Sequence, residues 1–463
     1  MNFFIKAPYW RTAVKTFRRG YGNRYSLILL SFLAVAYIWI AWHLGLGIYD
    51  GGPDEVMRSL VPRCIINGNL FPTGYDRCAI YTIGNWSYAF YQQMLGSYVS
   101  ALFMFIFRLF GSDASDIFVS GRLSSVFFSL IALYSIGKSV EVLFDNNRHK
   151  DILKVLAIGM VGFWPQYIFI SSYMNNDIVA FSGVAIIYYG ALSGIKNNWN
   201  IRNALVVSTG MVFCLLGYMN SFGFVLSFGL LCLMTLIQQN TNNLRRSFSL
   251  VGIVLLVICV FVIPFYVHNY LQYGDFFGIN TFKKVYAEWV STHERNVQNS
   301  YTGGIVNLLL HSDFVYSTFI SFVGNLGYMS IPIPIIMALY DMGLIVAGFG
   351  AFVQMFNIKD FSRRHLYVLV ASVLGSVITV CLYVLYTLMT DYQPQGRYII
   401  YLLVPMVLMF IYTIGSSRIL RSKIGRYLLI ISFVIFVLIS VYLFKYAIIN
   451  YHWSGVAEGA VVI

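Results

Sequence analysis

Two adjacent carboxylates, Asp54 and Glu55, close the run Gly51-Gly52-Pro53-Asp54-Glu55, directly after the first long apolar stretch of the chain. Only 18 of the 463 residues are acidic, so a carboxylate pair beside an apolar stretch calls for a chemical reading. An ionised carboxylate can take the proton of an attacking hydroxyl. Adjacent residues do not share a helix face. One carboxylate would therefore be a base and the other an orienting or structural group. The glycines let the chain turn off a helix end, and Pro53 fixes φ for the turn that follows. The same residues also suit a plain helix start, because Asp after Gly-Pro caps well and complements the helix dipole. The residues alone leave both readings open.

The elements that would position this pair are membrane spans. The chain is 59% hydrophobic and 11% charged, with mean hydropathy +0.71. Soluble domains carry about 25% charged residues, so too little polar surface exists here to cover a water-soluble globule. The fold class expected is an all-α polytopic membrane protein, with residues 1–463 forming one integral-membrane domain. Each span needs about 20 residues to cross a hydrocarbon core of about 30 Å. The net charge of +13 is explained by basic residues gathering in cytoplasmic segments, not by a nucleic-acid surface, for which no basic fold is present. Residues 1–23 are basic and aromatic, but the apolar run Tyr25–Ile48 is too long for a signal h-region. The expectation is a retained first span with a cytoplasmic N-terminal segment.

Apolar runs suggest spans at about 26–48, 117–138, 152–172, 177–195, 203–219, 222–238, 249–268, 335–356, 366–388, 399–415 and 427–448. Two further stretches, 86–110 and 314–334, are ambiguous. Placing both at the outer interface puts 20 of the 31 Lys and Arg in cytoplasmic segments, as the positive-inside tendency requires. This gives about 11 transmembrane helices, a first outer loop at 50–116 holding juxtamembrane helices, and a second at 269–313. The aromatic stretch 86–110 suits a helix lying at the lipid boundary. Three polar clusters then share the outer side: Asp54-Glu55, Asn175-Asn176-Asp177, and Asp391 to Tyr398. Cys64 and Cys78 fall in the first loop, where they are either a disulfide or two free thiols.

Several short segments, in order, resemble the GT-C superfamily of polyprenyl-phosphate-sugar-dependent glycosyltransferases. Gly52-Pro53-Asp54-Glu55 is similar to that family's first-loop Pro-Asp-Glu signature. Phe110-Gly111-Ser112 through Arg122-Leu123 is similar to its Phe-Gly…Ala-Arg-Leu entry into the next span. Ser172-Tyr173-Met174-Asn175-Asn176-Asp177 resembles its Asn-Asp motif at an outer helix end. Asn269-Tyr270 followed by Tyr273-Gly274-Asp275 resembles its Asn-Tyr…Tyr-Gly-Asp segment, with His268 where Arg is usual. Gln395-Gly396-Arg397-Tyr398 resembles the Gln-Gly-Arg-Tyr of bacterial members. The family's His, three positions after the Glu, is Arg58 here.

The resemblance implies an inverting transfer from a polyprenyl-phosphate sugar to a glycan acceptor, without a covalent sugar-enzyme intermediate. It makes Asp54 the base, with Glu55 second. The leaving lipid phosphate departs more easily against cations. Arg397 suits that task, since a guanidinium binds phosphate through two parallel bonds; Arg58, Arg63 and Lys283 are further candidates. Asn175, Asn176, Asp177, Gln395 and Tyr398 are expected to bind substrate. The implied setting is a bacterial inner membrane with the site on its outer face, decorating an envelope glycan such as O-antigen.

Plainer readings stand beside these. Arg397 can be an interfacial anchor, Asn175 to Asp177 a helix cap, and His293-Glu294 a solvated loop. Arg122 is deep enough in a span to be costly, so a buried partner such as Asp116, or a phosphate, is favoured, with a simple snorkelling anchor as the alternative. No zinc spacing, Walker loop or GxGxxG is present. No metal site and no required cofactor is expected, although Asp54, Glu55 and Asp177 could share a divalent cation. The rival functions are a flippase or transporter of lipid-linked sugar, for which internal repeats would be usual, and a polysaccharide polymerase.

Overall fold

A computed structural model of the protein describes residues 10–45, 52–81, 86–91, 93–292, 300–327, 331–334, 343, 363–417, 419–420 and 422–450. Its helices follow in chain order. The first six are α1 Trp10–His43, α2 Glu55–Ile66, α3 Leu95–Leu109, α4 Ala114–Ser120, α5 Leu123–Leu143 and α6 Lys150–Gly162. Next come α7 Pro165–Ile170, α8 Asp177–Asn197, α9 Ile201–Leu215, α10 Phe222–Gln239, α11 Leu244–Phe261 and α12 Ile263–Tyr273. The last are α13 Ile279–Thr292, α14 Gly304–Leu310, α15 Phe314–Gly324, α16 Arg363–Met389, α17 Leu403–Ser416 and α18 Lys423–Asn450. The only extended pairing of strands among the described residues is the short Asn325–Leu326 with Ile331–Pro332.

Eight segments among the described residues are long and apolar enough to cross a membrane: Arg24–His43, Ala114–Leu143, Asp177–Asn197, Met219–Gln239, Leu244–Phe261, Arg364–Met389, Gly396–Ser416 and Lys423–Tyr442. The protein is thus an all-α, multi-pass membrane protein. Two expected spans are shorter or broken. The run 152–172 divides into α6 and α7 because Pro165 lacks the N–H that would continue α6 and instead starts α7. The run 203–219 gives the 15-residue α9, which ends before Gly217 packs its Cα side against the backbone of Ala180. The stretch 314–334 contributes α15, bent by 56° from α14; the two together also pass as a span. The expected span 335–356 lies outside the described residues.

Burial orders the bundle. The apolar window of α8 is 89% buried, whereas those of α11 and α18 are 11% buried. α8 is therefore the centre, and α11 and α18 turn their apolar faces to lipid. Backbones approach closely where glycines allow it: a Cβ on Gly183 would sit 2.7 Å from Gly210 O, and one on Gly210 would meet Gly183 O at 2.7 Å. Small residues at such crossings let α8 and α9 pack without a side chain between them. Buried serines of α5 donate their hydroxyls to backbone carbonyls, as Ser129 Oγ to Val126 O at 2.7 Å and Ser125 Oγ to Tyr173 O at 2.6 Å. These hydroxyls are thereby satisfied inside an apolar bundle.

The first loop folds into α2 and α3. At 12 and 15 residues they are about 18 and 22 Å long, too short for a bilayer core. Cys64 on α2 is bonded to Cys78, which fixes the turn that follows α2 to its buried face. In the segment 269–313, α13 is an amphipathic helix whose Lys283 Nζ donates to Thr390 Oγ1 at 3.0 Å.

Candidate active site

Asp54 and Glu55 separate at the start of α2. Gly52 lies flat on Tyr173: a Cβ there would be 2.1 Å from Tyr173 Cδ2, so only glycine fits. Asp54 is the N-cap residue and takes φ 61, ψ 10, without capping the helix through its side chain. A left-handed conformation is uncommon for a side-chain-bearing residue, though Asp tolerates it better than most. It turns the carboxylate of Asp54 away from the helix it precedes.

Glu55 turns the opposite way, into the protein. Its Oε1 accepts from Arg122 Nε at 2.8 Å and from Met174 N at 2.9 Å, and its Oε2 from Arg122 Nη2 at 2.7 Å. Arg122 also donates to Ala41 O at 2.8 Å, Leu44 O at 2.7 Å and Gly45 O at 2.9 Å. A guanidinium has five N–H donors, and all five are used. The expected partner of Arg122, Asp116 or a phosphate, is replaced by Glu55. This pair ties the end of α1, the start of α2, the entry to α5 and the chain before α8 into one joint. Glu55 is placed as the fixed point of that joint, not as a second base beside Asp54.

Asp54 faces Arg397, with Oδ2 3.8 Å from Nη2. Arg397 is buried and heavily oriented. Its Nε donates to Gln395 Oε1 at 2.7 Å, and its Nη1 to Tyr173 OH at 3.3 Å. Its Nη2 reaches Tyr398 OH at 3.5 Å. The backbone that delivers it is as constrained as the side chain. Gly396 N donates to Ser321 Oγ at 2.5 Å, and a Cβ on Gly396 would meet Phe322 N at 2.2 Å. Tyr398 stacks on Tyr218 at 5.8 Å and donates to Gln393, which in turn donates to Asp391.

Asp177 opens α8 and is buried, accepting from Tyr401 OH at 3.4 Å. Arg58 lies one turn into α2, its Cζ 4.3 Å from the centre of the Tyr88 ring. Its Nε is buried without a hydrogen-bond partner. Burial pushes the Arg58 pKa down, but Tyr88, Asp54 and Asp177 outweigh it and hold the guanidinium above its ordinary value. The Tyr88 phenol is raised by burial first and by Asp54 second. Two carboxylates and two guanidiniums, from three distant parts of the chain, thus sense one another. Beside Arg58 a small cavity of about 20 Å³ is lined by Tyr88, Gln93, Ser97 and Asn176.

The remaining expected residues divide. Asn175 donates to Ile170 O at 2.6 Å and Tyr173 O at 2.7 Å and accepts from Ile178 N at 3.0 Å, so it knots the turn and caps α8. Asn176 reaches Gln93 O at 3.2 Å on the cavity wall. Gln395 and Tyr398 hold Arg397. Arg63 faces a different cavity, and Lys283 is bonded to Thr390. His293 and Glu294 lie outside the described residues. Tyr173 and Tyr88, which meet Arg397 and Arg58, were not singled out; each stands among so many tyrosines (35 in the chain) that nothing in its spacing marked it. No group of three His, Cys, Asp or Glu is placed to hold a metal ion among the described residues. Asp54, Glu55 and Asp177 do not form a shared ligand set, because Glu55 is engaged by Arg122.

No protein-family model matches the sequence, and no curated protein matches it significantly. Among solved structures the chain is similar to ArnT from Cupriavidus metallidurans bound to undecaprenyl phosphate, with 12% identity and TM-score 0.49. The apo state of the same protein gives 13% identity and TM-score 0.48. Each alignment covers 86% of this chain and 60% of the neighbour, so the chain spans about three fifths of their length.

Proposed function

We propose that this protein is an inverting glycosyltransferase of the GT-C type. It moves a sugar from a polyprenyl-phosphate carrier to an envelope glycan such as O-antigen, on the outer face of a bacterial inner membrane. The observation that carries this reading is the Asp54 carboxylate, turned out of its helix by a left-handed residue and set 3.8 Å from a buried, oriented Arg397. A base and a phosphate-binding cation are thereby set side by side, with a second cation, Arg58, near enough to feel the charge of both.

The acceptor hydroxyl oxygen attacks the anomeric carbon and forms the new glycosidic bond. The bond from that carbon to the phosphate oxygen breaks, its electron pair staying on the phosphate. The hydroxyl proton passes to Asp54, and the charge growing on the leaving phosphate meets Arg397 and Arg58. Donating Arg58 Nε finds an acceptor in that phosphate, which accounts for its lack of one in the protein. Asp177 and Asn176 meet substrate hydroxyls. Glu55 serves through Arg122 by fixing the joint on which Asp54 stands, and no cofactor takes part.

The outer placement is supported by the Cys64–Cys78 disulfide, a bond that persists in oxidising compartments, and by the cytoplasmic gathering of Lys and Arg. Residues 50–116 and 269–313 are then the two outer loops. Purified protein supplied with polyprenyl-phosphate sugar and envelope glycans should release polyprenyl phosphate and give a glycoside of inverted anomeric configuration. Movement of the lipid-linked sugar between leaflets without any glycoside would make the protein a flippase instead.

A further inference from the structure

Asp391 is a buried carboxylate that the transfer step does not use. In sequence it is only one member of the polar cluster that follows α16. Its bonds give it a task. Gln393 Nε2 donates to Asp391 Oδ2, Tyr398 OH donates to Gln393 Oε1, and Arg397 Nη2 reaches Tyr398 OH at 3.5 Å. The same Nη2 lies 3.8 Å from Asp54 Oδ2. A continuous chain of polar contacts thus runs from Asp391 to the nitrogen that faces the base.

The order of donors along this chain is set at its far end. An ionised carboxylate only accepts, an amide has one donating and one accepting end, and a phenol can do either. Asp391 therefore holds the N–H end of the Gln393 amide. The amide oxygen is left for Tyr398, whose single proton goes to it. The lone pairs of the phenol oxygen are then what Arg397 meets. Reversing the links would turn the Tyr398 proton toward the guanidinium, a donor facing a donor. Burial raises the Asp391 pKa, and the bond from Gln393 pulls against that rise by favouring the ionised form.

The frame around the chain is fixed. The Tyr398 ring lies among Tyr218 at 5.8 Å, Tyr383 at 5.8 Å and Tyr386 at 6.1 Å. Gln393 O accepts from Tyr383 OH at 3.2 Å and from Gln395 N at 2.8 Å. With rings and backbone held in this way, the freedom that remains is which way the amide and the phenol proton point. The Asp391 carboxylate removes it.

We propose that Asp391 is a positioning residue for Arg397, acting through Gln393 and Tyr398 to hold the guanidinium in the orientation that receives a phosphate. The consequence for phosphate rests on the reading of Arg397 given under the proposed function; the hold on Arg397 itself does not.

The test uses full-length protein in neutral detergent, made with isotopically labelled arginine, and takes two readings. One is the set of guanidinium magnetic resonances of Arg397, identified by their loss in Arg397→Lys. The other is the dissociation constant of farnesyl phosphate, from isothermal titration. Asp391→Asn keeps the shape but can both donate and accept. It should shift and broaden the Arg397 resonances and weaken farnesyl phosphate binding about three- to ten-fold, the worth of one hydrogen bond. Gln393→Met, which breaks the middle link and leaves Asp391 in place, should do the same. With Tyr398→Phe already present, neither change should have a further effect, because the link to Arg397 is gone. Equal effects of Asp391→Asn with and without Tyr398→Phe would make Asp391 a merely structural residue and overturn the proposal. Arg397 resonances unmoved in both Asp391→Asn and Gln393→Met would overturn it too. If the resonances move as expected but Arg397→Gln binds farnesyl phosphate as well as wild type does, the hold of Asp391 on Arg397 stands and the phosphate role of Arg397 falls.

Discussion

Replacing Glu55 tests how the site is built. Arg122 is 0% and Glu55 3% exposed, and the pair is joined by two bonds of 2.8 and 2.7 Å. Glu55→Ala would leave a fully buried guanidinium with three carbonyl partners and no counter-charge, and would strip Met174 N of its acceptor. Breaking one side of a buried ion pair costs about 3–5 kcal/mol, a large part of the roughly 5–15 kcal/mol that holds a typical domain folded. Glu55→Gln keeps the shape and an acceptor for Met174 N but removes the charge, and should cost about 1.5–3 kcal/mol. The double variant Glu55→Gln/Arg122→Met should lose less than the sum of the single losses, by about 0.5–3 kcal/mol. Thermal unfolding of the purified variants measures all three. Transfer per folded molecule should stay within a few-fold of wild type for Glu55→Gln. A Glu55→Gln protein as stable as wild type but inactive would refute this reasoning, since it would make Glu55 a reacting group.

Three further outcomes follow from the same geometry. Gly396→Ala places a Cβ 2.2 Å from Phe322 N, a backbone atom that cannot swing aside; it should cost about 1–3 kcal/mol and lower transfer by misplacing Arg397, seen by unfolding and activity together. Reducing Cys64–Cys78, which closes a loop of sequence separation 14, should cost about 3 kcal/mol, and Cys78→Ser should unfold at the temperature of the reduced protein with or without reductant. Burial pushes the Asp76 carboxyl up, but bonds from Thr73 N at 2.6 Å and Asn69 Nδ2 at 2.9 Å outweigh it, so it titrates below its ordinary value of 3.8. Its folded pKa being depressed, its contribution is complete above the unfolded value and is lost as pH falls from about 4 toward the folded one. Asp76→Asn should therefore flatten the acid side of the unfolding-temperature profile.

Much of the site was legible because membranes make polar residues conspicuous. Asp54, Asp177 and Arg397 stand out at the ends of apolar runs, and charge counting alone put them on one side. The structure brings them within reach of one another. What pairs with what was not legible. Glu55 and Arg122 are 67 residues apart, and only packing of α2 against the entry to α5 joins them; Asp116 looked plausible merely because it is near in sequence. The division of 152–172 was visible in Pro165 but was overridden by continuous hydropathy. Arg63 was grouped with Arg58 by charge, although the helical period separates their faces. The conformation of Asp54 was not readable, because a left-handed Asp and an ordinary N-cap follow Gly-Pro equally well.

The most direct measurement of the central claim is the single-turnover rate of Asp54→Asn with saturating polyprenyl-phosphate sugar and acceptor. Asn keeps the size of Asp but cannot take a proton. The account predicts a rate lower by about 10²–10⁴-fold, with donor binding and unfolding temperature close to wild type. A folded Asp54→Asn protein that transfers sugar at the wild-type rate would contradict it.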